Sequence, residues 1–504
     1  MASYIGIDLG TTYSAVATLD ETGRPVIIDN TDMMMSPQGN ITASCVSVSN
    51  NKLIIGEGPR KAISLADNAV GKFKREMGKS TTYTLNGETY TPTDLSAAVL
   101  LQMKKIAEDA VADLSKVVVT VPANFSNEAR EATLKAAKKA GLDVDFIINE
   151  PTAAALHYGY KLDADLEGIY AIYDLGGGTF DISIISISGD KIDVLASNGI
   201  AQLGGHDFDV ELTKIIKKKI KDQAGRDLDI TDYTPFQAED DKISLSNKKR
   251  IVAGGIEQNI DGLIISVTRM EFEEAISGLL AQTALVCDST LDQAGVNKEE
   301  VSDIILAGGS TRMPAVRMLV ERTFGKAPVT SENPDEAVAL GAVLYAAMKS
   351  DGANLTATQK KVISKMSVQE SCSKFLGTIV LDDVMGEKKQ VNTAIIKKGE
   401  KIPCSVTRDF FTSSDGQVKI NCRFTESEND ETDPRWVTIA WQGDLELPPN
   451  RPAGQKIEIT YSYDESQMIH CVYKDVESGR VTEATINGFE SEESESAIDK
   501  FLVD

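Results

Sequence analysis

Two stretches of the chain repeat one phrase, Tyr4-Ile5-Gly6-Ile7-Asp8-Leu9-Gly10-Thr11-Thr12-Tyr13-Ser14 and Tyr170-Ala171-Ile172-Tyr173-Asp174-Leu175-Gly176-Gly177-Gly178-Thr179-Phe180-Asp181. Each copy is an apolar run typical of a strand, then an aspartate, a glycine turn with threonine, and a second strand-like run. The pattern suits a nucleotide, because glycines let backbone N–H groups approach phosphate oxygens and a threonine hydroxyl adds a donor. The aspartates at the strand ends, Asp8 and Asp174, are expected to hold Mg²⁺ through water. Two such hairpins facing each other would clamp a triphosphate from two sides.

Two further glycine phrases add to this prediction, Gly308-Gly309-Ser310-Thr311-Arg312 and Gly204-Gly205-His206-Asp207. The first is expected to form the purine or ribose wall, with Arg312 stacking on the base, and the second to add another glycine contact. None of these phrases fits the P-loop pattern G-x-x-x-x-G-K-[ST] or the dinucleotide pattern G-x-G-x-x-G. Any one phrase alone would be interpreted as a β-hairpin turn. The matched pair together with Gly-Gly-Ser-Thr favours nucleotide binding.

The composition is that of a globular protein with a strong negative charge. The 504 residues include 52 Lys plus Arg and 76 Asp plus Glu, a formal charge of −24, and 42% of them are hydrophobic. A surface of this charge repels phosphate, so nucleic acid is not an expected partner. No stretch approaches the ~18 uninterrupted apolar residues of a membrane span, and the N-terminus lacks the pattern of a signal peptide. These features predict a soluble, cytoplasmic protein with no membrane partner.

The apolar pattern divides the chain into four parts. Residues 1–348 alternate short β-like runs with amphipathic helical patterns, which indicates α/β architecture. Residues 349–374 are polar and lysine-bearing, and are predicted to be a linker. Residues 375–488 show strand-like runs separated by turn signals, which predicts an all-β sandwich. Residues 489–504 are rich in acids and are predicted to be a solvated tail.

The phrases around Asp8, Asp174 and Gly308 closely resemble the three signatures of the seventy-kilodalton heat-shock chaperones. Three more segments extend the resemblance in family order, namely Val121-Pro-Ala-Asn-Phe125, Ile147-Ile-Asn-Glu-Pro-Thr-Ala-Ala-Ala155 and Asn333-Pro-Asp-Glu-Ala-Val-Ala339. Together they cover residues 3–348. The resemblance implies an actin-like, two-lobed ATPase domain with ATP or ADP, Mg²⁺ and K⁺ in its central cleft.

The resemblance also assigns site residues when it is carried over position by position. It implies that the catalytic residues are Lys74, Glu150, Asp174 and Thr179, with Lys74 beside the γ-phosphate and Glu150 near the attacking water. It implies a nucleotide-binding set of Gly10, Thr11, Thr12, Tyr13, Gly176, Gly177, Gly178, Gly204, Gly205, Glu239, Lys242, Ser246, Gly308, Gly309, Ser310 and Arg312. The metal would be held by Asp8 and Asp174. From the residues alone, Lys74 could equally be a solvated surface lysine, and Glu150 a helix cap before Pro151.

The β part resembles the peptide-binding domain of the same family. By that register a groove for an extended peptide would be lined by Leu381, Phe411, Val418, Ile420 and Ile457. Such a groove takes backbone hydrogen bonds and one or two apolar side chains. Alternating apolar residues in a sandwich are ordinarily core, so the same five side chains could instead be buried. The partners implied are unfolded or extended peptide segments, together with a J-domain protein or a nucleotide exchange factor.

Several positions depart from the family pattern. Only 504 − 486 = 18 residues follow Ile486, so a long helical lid is not expected and the chain resembles a truncated, lidless, divergent member. The leucine-rich family linker is represented only by Val362-Ile363 among lysines. Ile243 stands where the family has one of two adenine-stacking arginines, which predicts weaker adenosine binding. Phe146 replaces an arginine that J-proteins contact, and His206 replaces an acid.

The leading interpretation is an ATP-dependent chaperone that hydrolyses Mg·ATP in its N-terminal cleft and binds extended apolar peptide segments in its β domain. Pro122 and Arg130 match the interdomain switch pair of the family, although a strand-ending proline and a helix-surface arginine would explain them as well. The alternative is a nucleotide-gated, non-enzymatic scaffold or holdase with one dedicated partner. A sugar kinase on the same fold and a filament-forming protein are further alternatives.

Overall fold

The structure is a computed structural model, and it describes residues 3–30, 40–49, 52–63, 68–111, 114–161, 167–189, 191–228, 233–246, 255–260, 262–330, 333–350, 355–363, 367–384, 387–465 and 467–486. The acidic tail predicted for residues 489–504 lies outside the described residues. Among the described residues, none of the helices combines the length and the apolar character needed to cross a bilayer.

The helices and strands follow one another along the chain in three parts. The first part contains β1 (Ser3–Asp8), β2 (Tyr13–Leu19), β3 (Pro25–Ile27), β4 (Thr42–Ala43), β5 (Cys45–Ser49), β6 (Lys52–Ile55), α1 (Glu57–Ala62), β7 (Ala69–Gly71), β8 (Tyr83–Leu85), β9 (Glu88–Tyr90), α2 (Pro92–Ala110), β10 (Leu114–Val121), α3 (Asn127–Lys139), β11 (Val144–Asn149) and α4 (Glu150–Lys161). The middle part contains β12 (Glu167–Leu175), β13 (Phe180–Ser188), β14 (Lys191–Ile200), α5 (Gly205–Ala224), α6 (Pro235–Ser246), β15 (Gly255–Ile260), β16 (Leu263–Thr268), α7 (Arg269–Ala294), β17 (Val301–Ala307), α8 (Pro314–Phe324), β18 (Val329–Thr330), α9 (Ala337–Met348) and α10 (Ala357–Ile363). The last part contains β19 (Ser367–Ser371), β20 (Phe375–Val384), β21 (Glu387–Ile396), β22 (Lys401–Ile402), β23 (Cys404–Phe411), β24 (Lys419–Ser427), β25 (Thr438–Glu446), β26 (Lys456–Tyr463), β27 (Ile469–Asp475) and β28 (Val481–Ile486).

The two copies of the repeated phrase form equivalent hairpins in two different sheets. The first sheet has the order β11-β10-β1-β2-β3, and the second has the order β18-β17-β12-β13-β14-β19-β22. In each sheet the first strand of the hairpin pairs antiparallel with the second, and parallel with a later strand on its other side, β10 or β17. The repeat that is visible in the sequence is therefore also a repeat of sheet topology.

Helices α4 and α9 lie between the two sheets and belong to one core with both of them. Two glycines permit this close packing. A Cβ atom at Gly6 of β1 would lie 2.2 Å from the backbone nitrogen of Val343 in α9. A Cβ atom at Gly341 of α9 would lie 1.7 Å from the carbonyl oxygen of Ala153 in α4. These distances are far below van der Waals contact, so only glycine fits at either position.

The C-terminal part consists of two four-stranded antiparallel sheets, β21-β20-β24-β25 and β23-β26-β27-β28, which share one apolar core. Alternation along β26 places every second side chain in this core. Tyr461 ties the two sheets together, since its hydroxyl donates to the carbonyl oxygen of Gly377 at 2.8 Å and lies 2.8 Å from the hydroxyl of Tyr473. Two antiparallel sheets packed on one core are what the turn-punctuated sequence predicts.

The segment predicted as a loose linker contains ordered elements. Val362 and Ile363 lie in helix α10, and residues 351–354 and 364–366 are outside the described residues. Strand β19 pairs in parallel with β14 and antiparallel with β22, so it joins the second sheet to the β part. The chain thus crosses between the two parts on the polar stretch Ser367–Ser371 rather than on the apolar dipeptide. The sequence did not predict this strand, because five residues with only one β-branched side chain show no clear alternation of apolar and polar residues.

Candidate functional site

A cavity of about 600 Å³ lies where the two hairpins meet. The predicted site residues that line it are Asp8, Gly10, Thr11, Thr12, Tyr13, Lys74, Glu150, Asp174, Gly176, Gly177, Thr179, Glu239, Lys242, Ser246, Gly309, Ser310 and Arg312. Gly178, Gly204, Gly205 and Gly308 lie behind this lining, where they allow close packing. Gly308, for example, has a φ of +78°, and a Cβ atom there would lie 2.5 Å from Asp174 Oδ1. The cavity therefore gathers residues from both hairpins and from the other two glycine phrases.

The glycine turns of the two hairpins touch each other. A Cβ atom at Gly177 would lie 1.8 Å from Thr12 Oγ1, and one at Gly178 would lie 2.5 Å from Thr11 Cγ2. Backbone N–H groups of glycine turns can approach phosphate oxygens only where side chains do not intervene. The contact brings both turns to one wall of the cavity, as the facing arrangement predicted from sequence requires.

The other two glycine phrases are bonded to the second hairpin. The Gly205 N–H donates to the carbonyl oxygen of Gly176 at 3.0 Å, and the His206 N–H donates to that of Gly177 at 2.8 Å. The Ser310 hydroxyl donates to the carbonyl oxygen of Gly176 at 2.8 Å. These bonds fix three phrases in one rigid turn cluster although they are widely separated in sequence.

Lys74 and Glu150 form a buried ion pair on the cavity wall. Lys74 lies in a short 3₁₀ helix, Phe73–Glu76, and its Nζ is 2.5 Å from Glu150 Oε1. Only 3% of the lysine side chain is exposed, so the interpretation as a solvated surface lysine is wrong. Glu150 is the first residue of α4, yet its described side-chain bond goes to Lys74. An ion pair at such low exposure is held only where its geometry is good, which is typical of functional sites.

Two aspartates on the same wall, Asp8 and Asp174, lie close to a third buried aspartate, Asp181. Burial, followed by the charge of Glu150, raises the pKa of Asp8 and the pKa of Asp174 above the usual range. The same two causes raise the pKa of Asp181 to about 7. Asp181 pairs directly with Asp174 across the hairpin, and like charges at such a pair are unfavourable. Asp181 is part of the repeated phrase, but the sequence alone assigned it no role.

This carboxylate cluster suits a hydrated divalent cation. No group of three or more His, Cys, Asp or Glu side chains within the described ranges is arranged to ligate a metal directly. Mg²⁺ commonly keeps several waters and takes one or two carboxylates together with substrate phosphates. A cation beside Asp8 and Asp174 would relieve the repulsion that raises their pKa values. The donor set therefore fits Mg²⁺ held partly through water.

The far end of the cavity has one cationic wall and one apolar wall. Asp335 holds the Arg312 guanidinium in place, at 2.7 Å from Nη2 and 3.2 Å from Nε. Ile243 of α6 lines the cavity and is about half exposed. The family resemblance places Ile243 and Arg312 at the two base-stacking positions. In the structure, both side chains line one cavity.

Arg60 of α1 is a site residue that sequence reasoning missed. Its guanidinium donates to Glu239 Oε2 of α6, from Nη2 at 3.0 Å and from Nε at 3.2 Å. It also lies over the rings of Phe236, at 4.5 Å, and Tyr13, at 5.7 Å. The contact fixes Glu239, which lines the cavity. Residues 60 and 239 share no local pattern, so no sequence signal pointed to the pair.

Two buried clusters join the β part to the elements around the cavity. Arg130 of α3 contacts Gln467 and donates to Ala123 O at 3.0 Å and Asn149 Oδ1 at 2.8 Å. Asn149 in turn donates to Glu370 of β19 at 3.2 Å. Arg130 is almost fully buried, so the interpretation as a helix-surface arginine is wrong.

The second cluster centres on Glu426 of β24. This carboxylate accepts the Asn127 N–H at 3.3 Å and also contacts the Asn127 side-chain amide. Burial is the largest cause that raises the Glu426 pKa, to about 7. At the edge of the contact, Lys349 lies 2.7 Å from Glu465 and over the ring of Phe146 at 5.8 Å.

The five apolar residues predicted to line a peptide groove are not equally accessible. Leu381 in β20, Phe411 at the end of β23 and Val418 just before β24 are exposed. Lys388 of β21, the strand paired with β20, donates from Nζ to Ser413 O at 3.3 Å, two residues after Phe411. Ile420 is partly buried against the core. Ile457 is only 2% exposed and packs in the core, so it does not face a ligand. Alternation along β26 puts it on the inward face with Ile459.

Comparison of the chain with models of known protein families gives a match. A family model described as Hsp70 protein matches residues 4–84 and 81–504, which is essentially the whole chain. The chain belongs to the Hsp70 family.

Proposed function

We propose that the chain is an ATP-dependent chaperone that hydrolyses Mg·ATP in the cavity between its two hairpins, within an actin-like, two-lobed domain. The observation that carries this proposal is the buried Lys74–Glu150 pair at 2.5 Å, on the wall where Asp8 and Asp174 also lie. Phosphoryl transfer depends on neutralised charge and on positioned groups rather than on covalent chemistry by the protein. A cavity with this lining supplies both.

Each part of the site has a role in this reaction. The N–H groups of the turns at Gly10 and Gly177, with the hydroxyls of Thr12 and Thr179, bind the phosphates. Lys74 neutralises charge on the transferred phosphoryl group, and Glu150 orients the attacking water by accepting a hydrogen bond from it. Mg²⁺, held by Asp8 and Asp174 through water, supplies further neutralisation of the phosphates when bound.

The other end of the cavity binds the nucleoside. Glu239, Lys242 and Ser246 contact the ribose and the edge of the base, while Arg312 and Ile243 enclose the base between a cation and an apolar side chain. Arg60 keeps Glu239 oriented. The remaining cofactor and partners that we propose are K⁺, a J-domain protein and a nucleotide exchange factor, and the location is the cytoplasm.

The β part binds extended apolar peptide segments. Leu381 and Phe411 near the ends of β20 and β23, together with Val418, present exposed apolar surface to alternate side chains of a strand-like ligand. The buried contacts of Arg130 and Glu426 connect this part to α3, which begins shortly after Val121, the last residue of β10. Those contacts are a route by which nucleotide and peptide binding affect each other.

The direct test of the ATPase proposal is phosphate release by Lys74→Ala. We expect ATP hydrolysis to fall about 100-fold, the loss typical of removing one group that stabilises transition-state charge. The matched control is Lys79→Ala, since Lys79 is exposed and pairs only with Glu76 among its described ion pairs. Unchanged hydrolysis in Lys74→Ala would overturn the catalytic assignment. Nucleotide binding without any turnover in the wild type would favour the nucleotide-gated scaffold instead.

Peptide binding is tested by Phe411→Ser with a fluorescent apolar heptapeptide. Because Phe411 is 63% exposed, its loss should leave folding intact while lowering peptide affinity about tenfold. Val481→Ser removes an exposed apolar side chain of β28, outside the predicted groove, and serves as control. Equal affinity of all three proteins would show that the exposed surface around Phe411 does not bind peptide.

A further inference from the structure

Lys72 occupies an unusual position on the cavity wall. Its φ of +65° lies in the left-handed region, which is uncommon for a residue with a side chain. It immediately precedes the 3₁₀ helix Phe73–Glu76, so this turn of the backbone brings both Lys72 and Lys74 to the cavity. Backbone conformations of this kind persist where the surroundings hold them and are frequent at ligand sites.

The nearest partner of Lys72 is an imidazole. Lys72 Nζ lies 2.6 Å from His206 Nδ1. A lysine ammonium can only donate, so Nδ1 carries the lone pair and the ring proton sits on Nε2. Burial, followed by the charges of Lys72 and Arg75, lowers the His206 pKa to about 4, so the ring is neutral at physiological pH. A neutral acceptor orients the ammonium without cancelling its charge.

The three lysines that line the described part of the cavity differ in their distance from the nearest carboxylate. Lys74 is 2.5 Å from the Glu150 carboxylate, and Lys242 is 2.7 Å from that of Asp209. Among the described ion pairs, the closest carboxylate oxygen to Lys72 Nζ is Asp209 Oδ2, at 4.0 Å. Lys72 therefore carries the least compensated positive charge of the three.

His206 contacts both the Lys72 ammonium and the glycine turn that is proposed to bind phosphates. Its backbone N–H donates to Gly177 O at 2.8 Å, in the glycine turn that touches Thr12. The side chain of the same histidine accepts the hydrogen bond from the Lys72 ammonium. One residue thus connects the turn proposed to bind phosphates with a lysine that faces the same cavity.

We infer that Lys72 is an additional phosphate-binding residue of this nucleotide site, and that neutral His206 is the positioning residue that directs it. The inference rests on the proposed nucleotide site and adds to it a residue of phosphate recognition. The ligand class is a nucleoside di- or triphosphate, because a compact ammonium recognises phosphate oxygens as a point charge.

The test compares the affinities of adenosine, AMP, ADP and ATP for the wild type, Lys72→Met and the control Lys79→Met by calorimetry with Mg²⁺. Loss of one charged hydrogen bond should weaken ADP or ATP binding about tenfold or more and leave adenosine affinity unchanged. The step in the series at which the loss appears identifies the phosphate that Lys72 contacts. An equal loss for all four ligands, or no loss, overturns the inference.

These outcomes separate the inference from the proposed function. If the wild type binds ATP and Lys72→Met binds it equally well, only the role of Lys72 is wrong. If the wild type binds none of the four ligands, the nucleotide site itself is wrong and the inference falls with it.

The positioning role of His206 is tested by three substitutions. His206→Gln retains a neutral acceptor and should keep ATP affinity within about threefold of the wild type. His206→Phe removes the acceptor and His206→Glu neutralises Lys72, so both should reproduce the loss seen in Lys72→Met. The double variant Lys72→Met/His206→Phe should bind ATP no more weakly than Lys72→Met alone. Additive losses, or a fall in adenosine affinity with His206→Phe, would instead indicate a structural role.

Discussion

The cavity and the contact that joins the β part to the elements around the cavity, through Arg130 and Glu426, both bury carboxylates. The surroundings of these carboxylates differ between the two regions. In the cavity, Asp174 faces Asp181 and Glu150, and burial together with their charges raises its pKa. At the contact, Glu426 is bonded to the backbone and side chain of Asn127, and burial is the leading cause of its raised pKa. The cavity thus concentrates like charges whose repulsion a cation can relieve, whereas at the contact Glu426 lies near the cation Lys374 and accepts hydrogen bonds from Asn127. The difference favours the cavity, rather than the contact, as a cation-binding site.

The largest effect is expected when a cavity carboxylate is removed. Asp174→Asn should lower ATP hydrolysis about 100- to 1,000-fold, in the range for loss of one preorganised electrostatic group. It should also raise the melting temperature, because it removes a buried group whose ionised form is disfavoured in the folded state.

Phosphate release and thermal denaturation of the same preparation measure both effects. The matched variant is Asp335→Asn, in which the lost carboxylate is partly exposed and paired with Arg312, so its melting temperature should not rise. A lower melting temperature for Asp174→Asn would contradict the interpretation that its charge is strained.

A smaller effect is expected at the contact when Arg130 is changed to Met. The substitution removes the described donor of the Asn149 side-chain oxygen and of the Ala123 carbonyl oxygen in a buried place. We expect the contact to weaken by about 2–3 kcal/mol, the cost of stranding partners of a charged hydrogen bond.

Limited proteolysis at Ser367–Ser371 measures this change, since separation of the parts would release this strand from its pairing with β14. Lys135→Met, on the same helix and paired only with Glu131 in its described ion pairs, is the control. Equal cleavage rates for the two variants would show that Arg130 does not hold the parts together.

The contact should also depend on pH. The Glu426 pKa is raised to about 7 from a usual value near 4.5, so the closed contact favours the protonated form. Its stability is therefore greatest at low pH within this window, falls as pH rises from about 5 to 7, and is constant above that. The expected total change is about 3 kcal/mol, since each pKa unit between 4.5 and about 7 is worth ~1.4 kcal/mol.

Proteolysis between pH 5 and pH 8 measures this dependence, with the protease rate calibrated on an unfolded substrate. Glu426→Gln should flatten the curve and keep the contact closed at pH 8. A wild-type contact that tightens as pH rises would reverse the sign and reject the assignment to Glu426.

The smallest effect is expected at the apolar wall of the cavity. Ile243→Arg should strengthen ATP binding about fivefold, because a guanidinium stacked on the base contributes about 1 kcal/mol. Calorimetry with ATP measures the gain, and Ile243→Gln controls for a longer polar side chain without charge. Weaker binding by Ile243→Arg than by Ile243→Gln would indicate that the base does not reach this wall.

The sequence predicted more of the cavity than of the contact. The repeated phrase identified Asp8, Asp174 and the glycine turns, because a turn that approaches phosphate needs particular residues in fixed order. It did not reveal the strand Ser367–Ser371, which pairs with both parts of the molecule. Nor did it separate Ile457, which is core, from Phe411, which is exposed, since both lie in alternating strands.

By itself, the sequence determined the local elements, the repeat and the family, because glycine phrases and apolar periods are set by neighbours along the chain. Only the tertiary structure decided which charges are buried and with whom. Lys74 meets Glu150 across 76 positions, Arg60 meets Glu239 across 179, and Asn127 meets Glu426 across 299. The partner of a charged group depends on packing between distant elements, and its burial follows from that packing rather than from the residues beside it.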